Sequence, residues 1–311
     1  MMDIDYVLLN FNPASLMVLN IFIGFVMFGV ALDLKIEDFK NAFTTPKPML
    51  IGLFAQFFLL PAFTFLLVLM IQPRASIALG LLLIAACPGG NLSNFMTHLA
   101  KGNTALSINM SAIATVAAIV MTPLNVMFWG SLLPETSAIL RSFTINPLDM
   151  LLLIILILGL PLVCGMYVKY RKPEFAAKAS QPMKYFSITV FIGFVVVALI
   201  SNWPYFLEFV GLVILAVFLH NLVALLSGYF FARLFKLREP SRRAIAIEVG
   251  IQNSALGLVL IFNFFEGLGG MAVVAAWWGV WHIISGLTIA FFWSRRPPET
   301  HDFAVNGGLK I

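Results

Sequence analysis

Residues Glu248–Ser254, with the sequence EVGIQNS, interrupt a segment that otherwise has the composition of a membrane-spanning helix, Ser241–Phe265. The hydrocarbon core of a bilayer contains no water, so a carboxylate, two amides and a glycine there need partners inside the protein or in something it binds. A second polar stretch, Cys87–Asn94 with the sequence CPGGNLSN, interrupts another apolar run far upstream. Proline lacks a backbone N–H, and glycine favours unwound backbone. We therefore predict two broken helices whose interruptions face each other and form one site for an ion and a substrate.

The composition around these stretches indicates an all-α integral membrane protein. The chain has 311 residues, 61% of them hydrophobic and 11% charged, with a mean hydropathy of +0.98. Soluble domains have about 45–50% apolar and about 25% charged residues. The apolar runs are also too long for the strands of an outer-membrane barrel. The net charge of +5 lies mostly in short loops between the runs, so it does not indicate nucleic-acid binding.

The apolar runs predict nine transmembrane helices, because a span needs about 20 predominantly apolar residues. The third and eighth contain the two polar stretches. The predicted spans are Ser15–Leu34, Pro48–Ile71, Ser76–Ala100, Thr104–Leu133, Pro147–Lys169, Met183–Ile200, Pro204–Phe235, Ser241–Phe265 and Met271–Trp293.

The basic residues predict the orientation of these spans. With nine spans, only Arg74 and Arg141 fall on one side of the membrane, and the other 17 of the 19 Lys and Arg fall on the opposite side. By the positive-inside rule the C-terminus is cytoplasmic and the N-terminus is outside, in a cytoplasmic (inner) or plasma membrane.

The order of the spans also predicts an inverted repeat. The broken helix is the third of four spans in each repeat. Helices 1–4 therefore align with helices 6–9, and helix 5 has no counterpart. The two broken helices then run in opposite directions through the membrane. This layout is typical of carriers that work by alternating access.

Glu248 is the most informative polar residue, because a carboxylate at the centre of a span costs about 2.5 kcal/mol or more on insertion scales. Gln252 lies one turn further along the same face, and oxygens of this kind are ligands for a small hard cation. The structural alternative is an acid near the membrane surface that is reached by Arg243.

Other polar residues within spans have local alternatives to a role in binding. Ser93 and Asn94 supply oxygens from the first break, and Ser107 and Ser111 lie four residues apart on the next span. Hydroxyl groups in spans often bond to the carbonyl one turn back, however. Gln56 is either a ligand or a polar contact between helices. The histidines share no spacing that indicates a transition-metal site.

These motifs resemble those of the bile acid:sodium symporters. The likeness rests on CPGGNLSN and EVGIQNS, with Ala55-Gln56, Met27-Phe28-Gly29, Asp38-Phe39 and the sequence AKGN at 100–103, and it covers Pro13–Trp293. The first motif resembles the animal bile acid carriers more than the usual bacterial form, which has Thr where Asn91 stands.

The resemblance implies a set of binding residues. One sodium site would use side chains from three helices, namely Ser93, Asn94, Ser107, Ser111 and Glu248. A second sodium site would use Gln56, Glu248, Gln252 and the carbonyls of Val249 and Ile251. The substrate candidates are Asn91, Asn253 and His282.

The resemblance also implies a division of the chain, which forms one transmembrane unit over residues 1–311. A panel domain, about 13–47 and 147–201, would move against a core domain, about 48–133 and 204–294. From its polar, glycine-bearing composition, 295–311 is expected to be a flexible cytoplasmic tail. The expected function is sodium-coupled uptake of bile acids or similar amphipathic organic anions, with two sodium ions co-transported, no cofactor and no enzymatic activity.

Two alternatives stay open. The first is a carrier of a smaller carboxylate such as a pantoate-like acid, driven by sodium or by protons through Glu248. Ile283, which stands where bacterial relatives often have Asn, makes such substrates less expected. The second is a membrane receptor that binds such ligands without moving them.

Overall fold

The computed structural model describes residues 4–8, 13–34, 37, 39, 46–90, 92–201 and 203–298. Its helices, after a short 3₁₀ turn at Ile4–Tyr6, are α1 Pro13–Ala31, α2 Pro46–Ile71, α3 Ala75–Ala86, α4 Leu92–Leu99, α5 Thr104–Ser131, α6 Pro134–Ser142, α7 Pro147–Arg171, α8 Pro173–Ser201, α9 Trp203–Leu234, α10 Glu239–Gly250, α11 Ser254–Phe264 and α12 Gly269–Ser294.

Five helices in the described ranges are long and apolar enough to cross a membrane. They are α2, α5, α7, α12 and the part of α9 from Val213 to Leu234. Large apolar side chains such as Phe58, Met70 and Val163 are exposed on the outside of the protein, where a bilayer would cover them. The helical membrane class is therefore confirmed, while the count of nine spans stays a prediction.

The helix α3 lies at the centre of the protein. Every side chain from Ser76 to Ala86 is buried, as is typical of a helix that is apolar all round. It packs against α2, α5 and α12. A Cβ at Gly80 would lie 2.9 Å from Met271 Cα, so glycine allows the close approach of α12. This packing brings the end of α3, and the break that follows it, into the protein interior.

Two helices contain a turn of π-helix just before a Leu-Pro sequence. The turn Ala55–Leu59 precedes Pro61 in α2, and Ile155–Gly159 precedes Pro161 in α7. Proline cannot donate to the regular helical ladder, and the wider turn accommodates the missing bond. Gln56 lies within the wide turn of α2 and is fully buried.

The helices α1, α7 and α8 pack against one another. A Cβ at Gly165 of α7 would lie 2.8 Å from the carbonyl oxygen of Phe28, so the two backbones approach closely. The Ser180 hydroxyl of α8 donates a hydrogen bond to Oδ1 of Asp33, in the turn that follows α1.

Several predicted helix ends differ from the structure. The first helix ends at Ala31 rather than Leu34, and α8 begins at Pro173, well before the predicted start at Met183. Proline at the first position and Glu174 in the first turn favour a start there. The helix α6 was not predicted.

Candidate ion-binding site at two helix breaks

The two predicted breaks are present, and their backbones pair with each other. The Gly90 N–H donates to Ile251 O at 2.5 Å, and the Asn253 N–H donates to Pro88 O at 2.9 Å. Gly89 and Gln252 form an antiparallel bridge. Each break therefore satisfies backbone groups that the other break leaves free, as buried backbone requires.

Glycine is needed at the first break because the second break lies directly against it. A Cβ at Gly89 would overlap Glu248 Oε1 and lie 2.9 Å from Glu248 Cδ. A Cβ at Gly90 would lie 3.0 Å from the carbonyl oxygen of Gln252. Gly89 thus leaves room for the Glu248 carboxylate, and Gly90 leaves room for the backbone of Gln252.

Side chains from neighbouring helices bind further carbonyls at the helix ends. Thr122 Oγ1 donates to Ala86 O at 2.7 Å, and Gln56 Nε2 donates to Cys87 O at 2.9 Å. At the other break, Asn221 Nδ2 donates to Gly250 O at 2.8 Å. Thr122 and Asn221 were not singled out from the sequence, because their residue types alone do not show which carbonyl they reach.

Glu248 lies at the centre of an oxygen cluster, completely buried. Ser93 Oγ donates to its Oε2 at 2.6 Å, Ser111 Oγ donates to its Oε1 at 2.6 Å, and Ser107 Oγ lies 3.1 Å from Oε2. Asn94 Oδ1 accepts from Ser107 at 2.8 Å and from Ser111 at 3.3 Å. The structure therefore brings together all five residues of the first predicted set.

This cluster is rich in acceptors and poor in hydrogens. Glu248, Asn94 and the three serines contribute six oxygens, yet each serine carries a single hydroxyl hydrogen. Thr97, which the sequence did not single out, donates one more hydrogen bond, to Ser107 Oγ at 3.3 Å. The local alternative for Ser107 and Ser111 was a bond to the preceding turn, but their hydroxyls contact Glu248 and Asn94 instead.

Glutamine side chains form a second polar group beside the first. Gln56 Nε2 donates to Gln252 Oε1 at 2.9 Å, and Gln252 Nε2 donates to Val249 O at 2.6 Å. Gln56 Oε1 is buried and has no hydrogen-bond partner among the described residues. Of the second predicted set, the structure thus joins Gln56, Gln252 and Val249, while Ile251 O is engaged by Gly90.

The three substrate candidates are less closely grouped. Asn91 lies outside the described residues. Asn253 Oδ1 accepts from the Leu256 N–H at 3.0 Å and so caps the start of α11. His282 of α12 is buried, and its Nδ1 has no hydrogen-bond partner in the described part of the chain.

Comparisons with known proteins identify the family of the chain. The model of the Sodium Bile acid symporter family matches residues 20–209. Over 293 residues the chain is 36% identical to YocS of Bacillus subtilis, named an uncharacterized sodium-dependent transporter, with 94% of this chain and 88% of that protein covered.

More distant relatives occur in plants and animals. The chain is 32% identical over 277 residues to the probable sodium/metabolite cotransporter BASS1, chloroplastic, of Arabidopsis thaliana, with 88% of this chain and 66% of that protein covered. It is 33% identical over 254 residues to the P3 protein of Mus musculus, with 80% of this chain and 52% of that protein covered. The family model covers more than half of the chain, and the chain therefore belongs to the sodium bile acid symporter family of membrane transporters.

Proposed function

We propose that the protein is a sodium-coupled symporter that takes up an amphipathic organic anion of the bile acid class. The observation that carries this proposal is the buried Glu248 carboxylate, surrounded by the hydroxyls of Ser93, Ser107 and Ser111 at 2.6–3.1 Å. Carboxylate, hydroxyl and amide oxygens suit a hard cation. A bound cation would also offset the cost of a negative charge inside the membrane.

The first sodium ion would bind at Ser93, Asn94, Ser107, Ser111 and Glu248. In the described contacts the serine hydroxyls point their hydrogens at Glu248 and Asn94. Because a hydroxyl rotates about its C–O bond and has two lone pairs, the same oxygens are able to coordinate a cation after a small rotation.

The second sodium ion would bind at Gln56, Glu248, Gln252 and the carbonyls of Val249 and Ile251. The buried Gln56 Oε1 supports this assignment, since it is an acceptor to which no described residue donates a hydrogen bond. The carbonyls of Val249 and Ile251 each accept one hydrogen bond and retain a second lone pair.

Two sodium ions would balance the Glu248 carboxylate and a monovalent organic anion within the membrane. Each cycle would then carry one net positive charge inward. The membrane potential would contribute about 2.3 kcal/mol per 100 mV to uptake. Transport is therefore expected to depend on both sodium and voltage.

The proposed layout has nine spans in an inverted repeat, with the N-terminus outside and the C-terminus cytoplasmic, in a cytoplasmic or plasma membrane. The antiparallel pairing of the two breaks and the distribution of Lys and Arg support it. The packing of α1, α7 and α8 against one another supports a panel domain, about 13–47 and 147–201. Alternating access would move this panel against the core, about 48–133 and 204–294.

The organic anion would bind near the N-terminal ends of α4 and α11, where backbone N–H groups favour negative charge. The proposed contacts are Asn91, Asn253 and His282. The last of them is supported by its buried Nδ1, which has no hydrogen-bond partner among the residues that the structure describes. A smaller carboxylate is the second candidate, because BASS1 is named a sodium/metabolite cotransporter and its name specifies no bile acid.

Proteoliposomes test the proposal directly. Labelled bile acid and labelled small carboxylates are each offered under an inward sodium gradient, with a potassium gradient as control and an imposed voltage as a second variable. Accumulation that needs sodium and rises with an inside-negative potential supports symport. Binding without accumulation would instead indicate a receptor, and uptake indifferent to sodium and voltage would contradict the mechanism.

A further inference from the structure

Arg243 lies five residues before Glu248 on α10, yet its guanidinium bonds to oxygens other than that carboxylate. The residue is only 4% exposed. Its Nε donates to Glu239 Oε1 at 3.0 Å, and its Nη1 donates to Ala100 O at 2.9 Å. The same group also donates to the carbonyls of Trp293, at 3.1 Å, and Arg296, at 2.8 Å.

These carbonyls lie at the C-terminal ends of two helices. Ala100 follows the last residue of α4. Trp293 is the penultimate residue of α12, and Arg296 lies two residues beyond the end of that helix. Helix C-termini carry partial negative charge and free carbonyls, which a guanidinium is able to bind along several fixed directions at once. Arg243 therefore fastens α4 and α12 to α10, while Glu239 balances its charge.

A backbone connection joins α5 to the same point. The Asn103 N–H donates to Pro240 O at 2.9 Å, in the first turn of α10. Asn103 also caps α5, because its Oδ1 accepts from the Leu106 N–H at 3.0 Å. The helices α4, α5 and α10, which carry the side chains of the first proposed sodium site, are thus joined at their ends near Arg243.

We infer that Arg243 is a positioning residue for sodium binding, which holds α4 against α10 so that Ser93 and Asn94 stay within reach of Glu248. This inference rests on the proposed function. The helix α4 has eight residues and is about 12 Å long. Over that length a tilt of about 5° at the end held by Arg243 moves the other end by about 1 Å, more than the ~0.5 Å tolerance of a preorganised binding site.

The test titrates sodium into the purified protein in detergent, without substrate, and measures the unfolding temperature at each sodium concentration. The sodium midpoint is the concentration at which half of the change in unfolding temperature is reached. Arg243→Gln removes the charge. Arg243→Lys keeps the charge but lacks the planar guanidinium that donates hydrogen bonds in several fixed directions. Arg242→Gln is the matched control, because Arg242 bonds to Leu237 O and approaches Glu239 at 3.6 Å and therefore holds neither α4 nor α12. We expect the sodium midpoint to rise at least tenfold in Arg243→Gln, by less in Arg243→Lys, and to stay within twofold in the control.

A purely structural role would give a different result. It would lower the unfolding temperature in sodium-free buffer and leave the sodium midpoint unchanged, and that outcome would overturn the inference. If Arg243→Gln does not yield monodisperse protein, Arg243→Lys alone decides. Addition of Ser93→Ala to Arg243→Lys should raise the midpoint less than Ser93→Ala does in the wild type. A wild type whose unfolding ignores sodium would instead refute the proposed function.

Discussion

The Ser93 hydroxyl donates a 2.6 Å hydrogen bond to Glu248 Oε2, although 155 positions separate the two residues along the chain. Each residue belongs to a different broken helix, and both are buried. A polar group at this depth needs a partner, and here the partner comes from the other end of the sequence. The polar cluster therefore joins the two halves of the fold at the same place where we propose that sodium binds.

Glu248→Ala is expected to abolish sodium-dependent uptake while the protein still folds. The change removes the only charged group of the proposed first site, and interactions with a charged group contribute about 1.5–3 kcal/mol. That range corresponds to a loss of about 10- to 150-fold in sodium affinity. The sodium dependence of uptake is measured in proteoliposomes. Glu135→Ala is the control, because Glu135 of α6 is exposed. Wild-type sodium dependence in the Glu248 variant would contradict the site.

Ser111→Ala is expected to weaken sodium binding by a smaller amount. A neutral hydrogen-bonding group contributes about 0.5–1.5 kcal/mol, which is about a 2- to 10-fold change in affinity. Ser131→Ala, on the same helix, is the control because its exposed hydroxyl bonds to Phe128 O of its own helix. The comparison requires sodium titrations of both variants, and equal midpoints would argue against Ser111 as a ligand.

Gly89→Ala is expected to lower both stability and sodium affinity, because the new methyl group would overlap the Glu248 carboxylate. Gly211→Ala is a control with the opposite expected sign. No described residue lies within 4 Å of a Cβ at Gly211, within α9, and alanine there should be neutral or stabilise the helix by up to about 1 kcal/mol. Unfolding temperatures in detergent measure the difference, and a Gly89 variant as stable as the wild type would show that the two breaks do not pack as described.

Thr122→Val is expected to destabilise the protein by about 1–3 kcal/mol, because it leaves the buried Ala86 carbonyl at the end of α3 without its donor. Valine has nearly the same shape, so packing changes little. Thr288→Val serves for comparison, since the exposed Thr288 hydroxyl bonds to Ile284 O of its own helix. Equal unfolding free energies in the two variants would mean that the Ala86 carbonyl finds another partner.

The sequence predicted those parts of the site where polar residues interrupt a long apolar run. Glu248, Gln252 and Ser93 are visible because polar residues interrupt apolar runs, and Pro88 with two glycines marks the first break. Thr122 could not be distinguished from Thr115 in the same way. Both residues carry a hydroxyl group and lie in α5. Thr115 donates to Ser111 O within its own helix, whereas Thr122 donates to Ala86 O at the end of α3.

The geometry of individual turns could not be predicted from the sequence either. The π-helical turn that contains Gln56 depends on how α2 accommodates Pro61 while packed against its neighbours. The early start of α8 at Pro173 was missed because the polar residues that follow were interpreted as a loop. Local helix signals at Pro173 and Glu174 would have corrected the boundary.

Equilibrium binding of radioactive sodium to the purified protein, without substrate, is the decisive measurement for a sodium site at Glu248. We predict saturable binding to the wild type that unlabelled sodium displaces and potassium does not. We also predict that Glu248→Gln, which keeps the size of the side chain and removes its charge, loses that binding. Saturable sodium binding of wild-type affinity in Glu248→Gln would contradict the account.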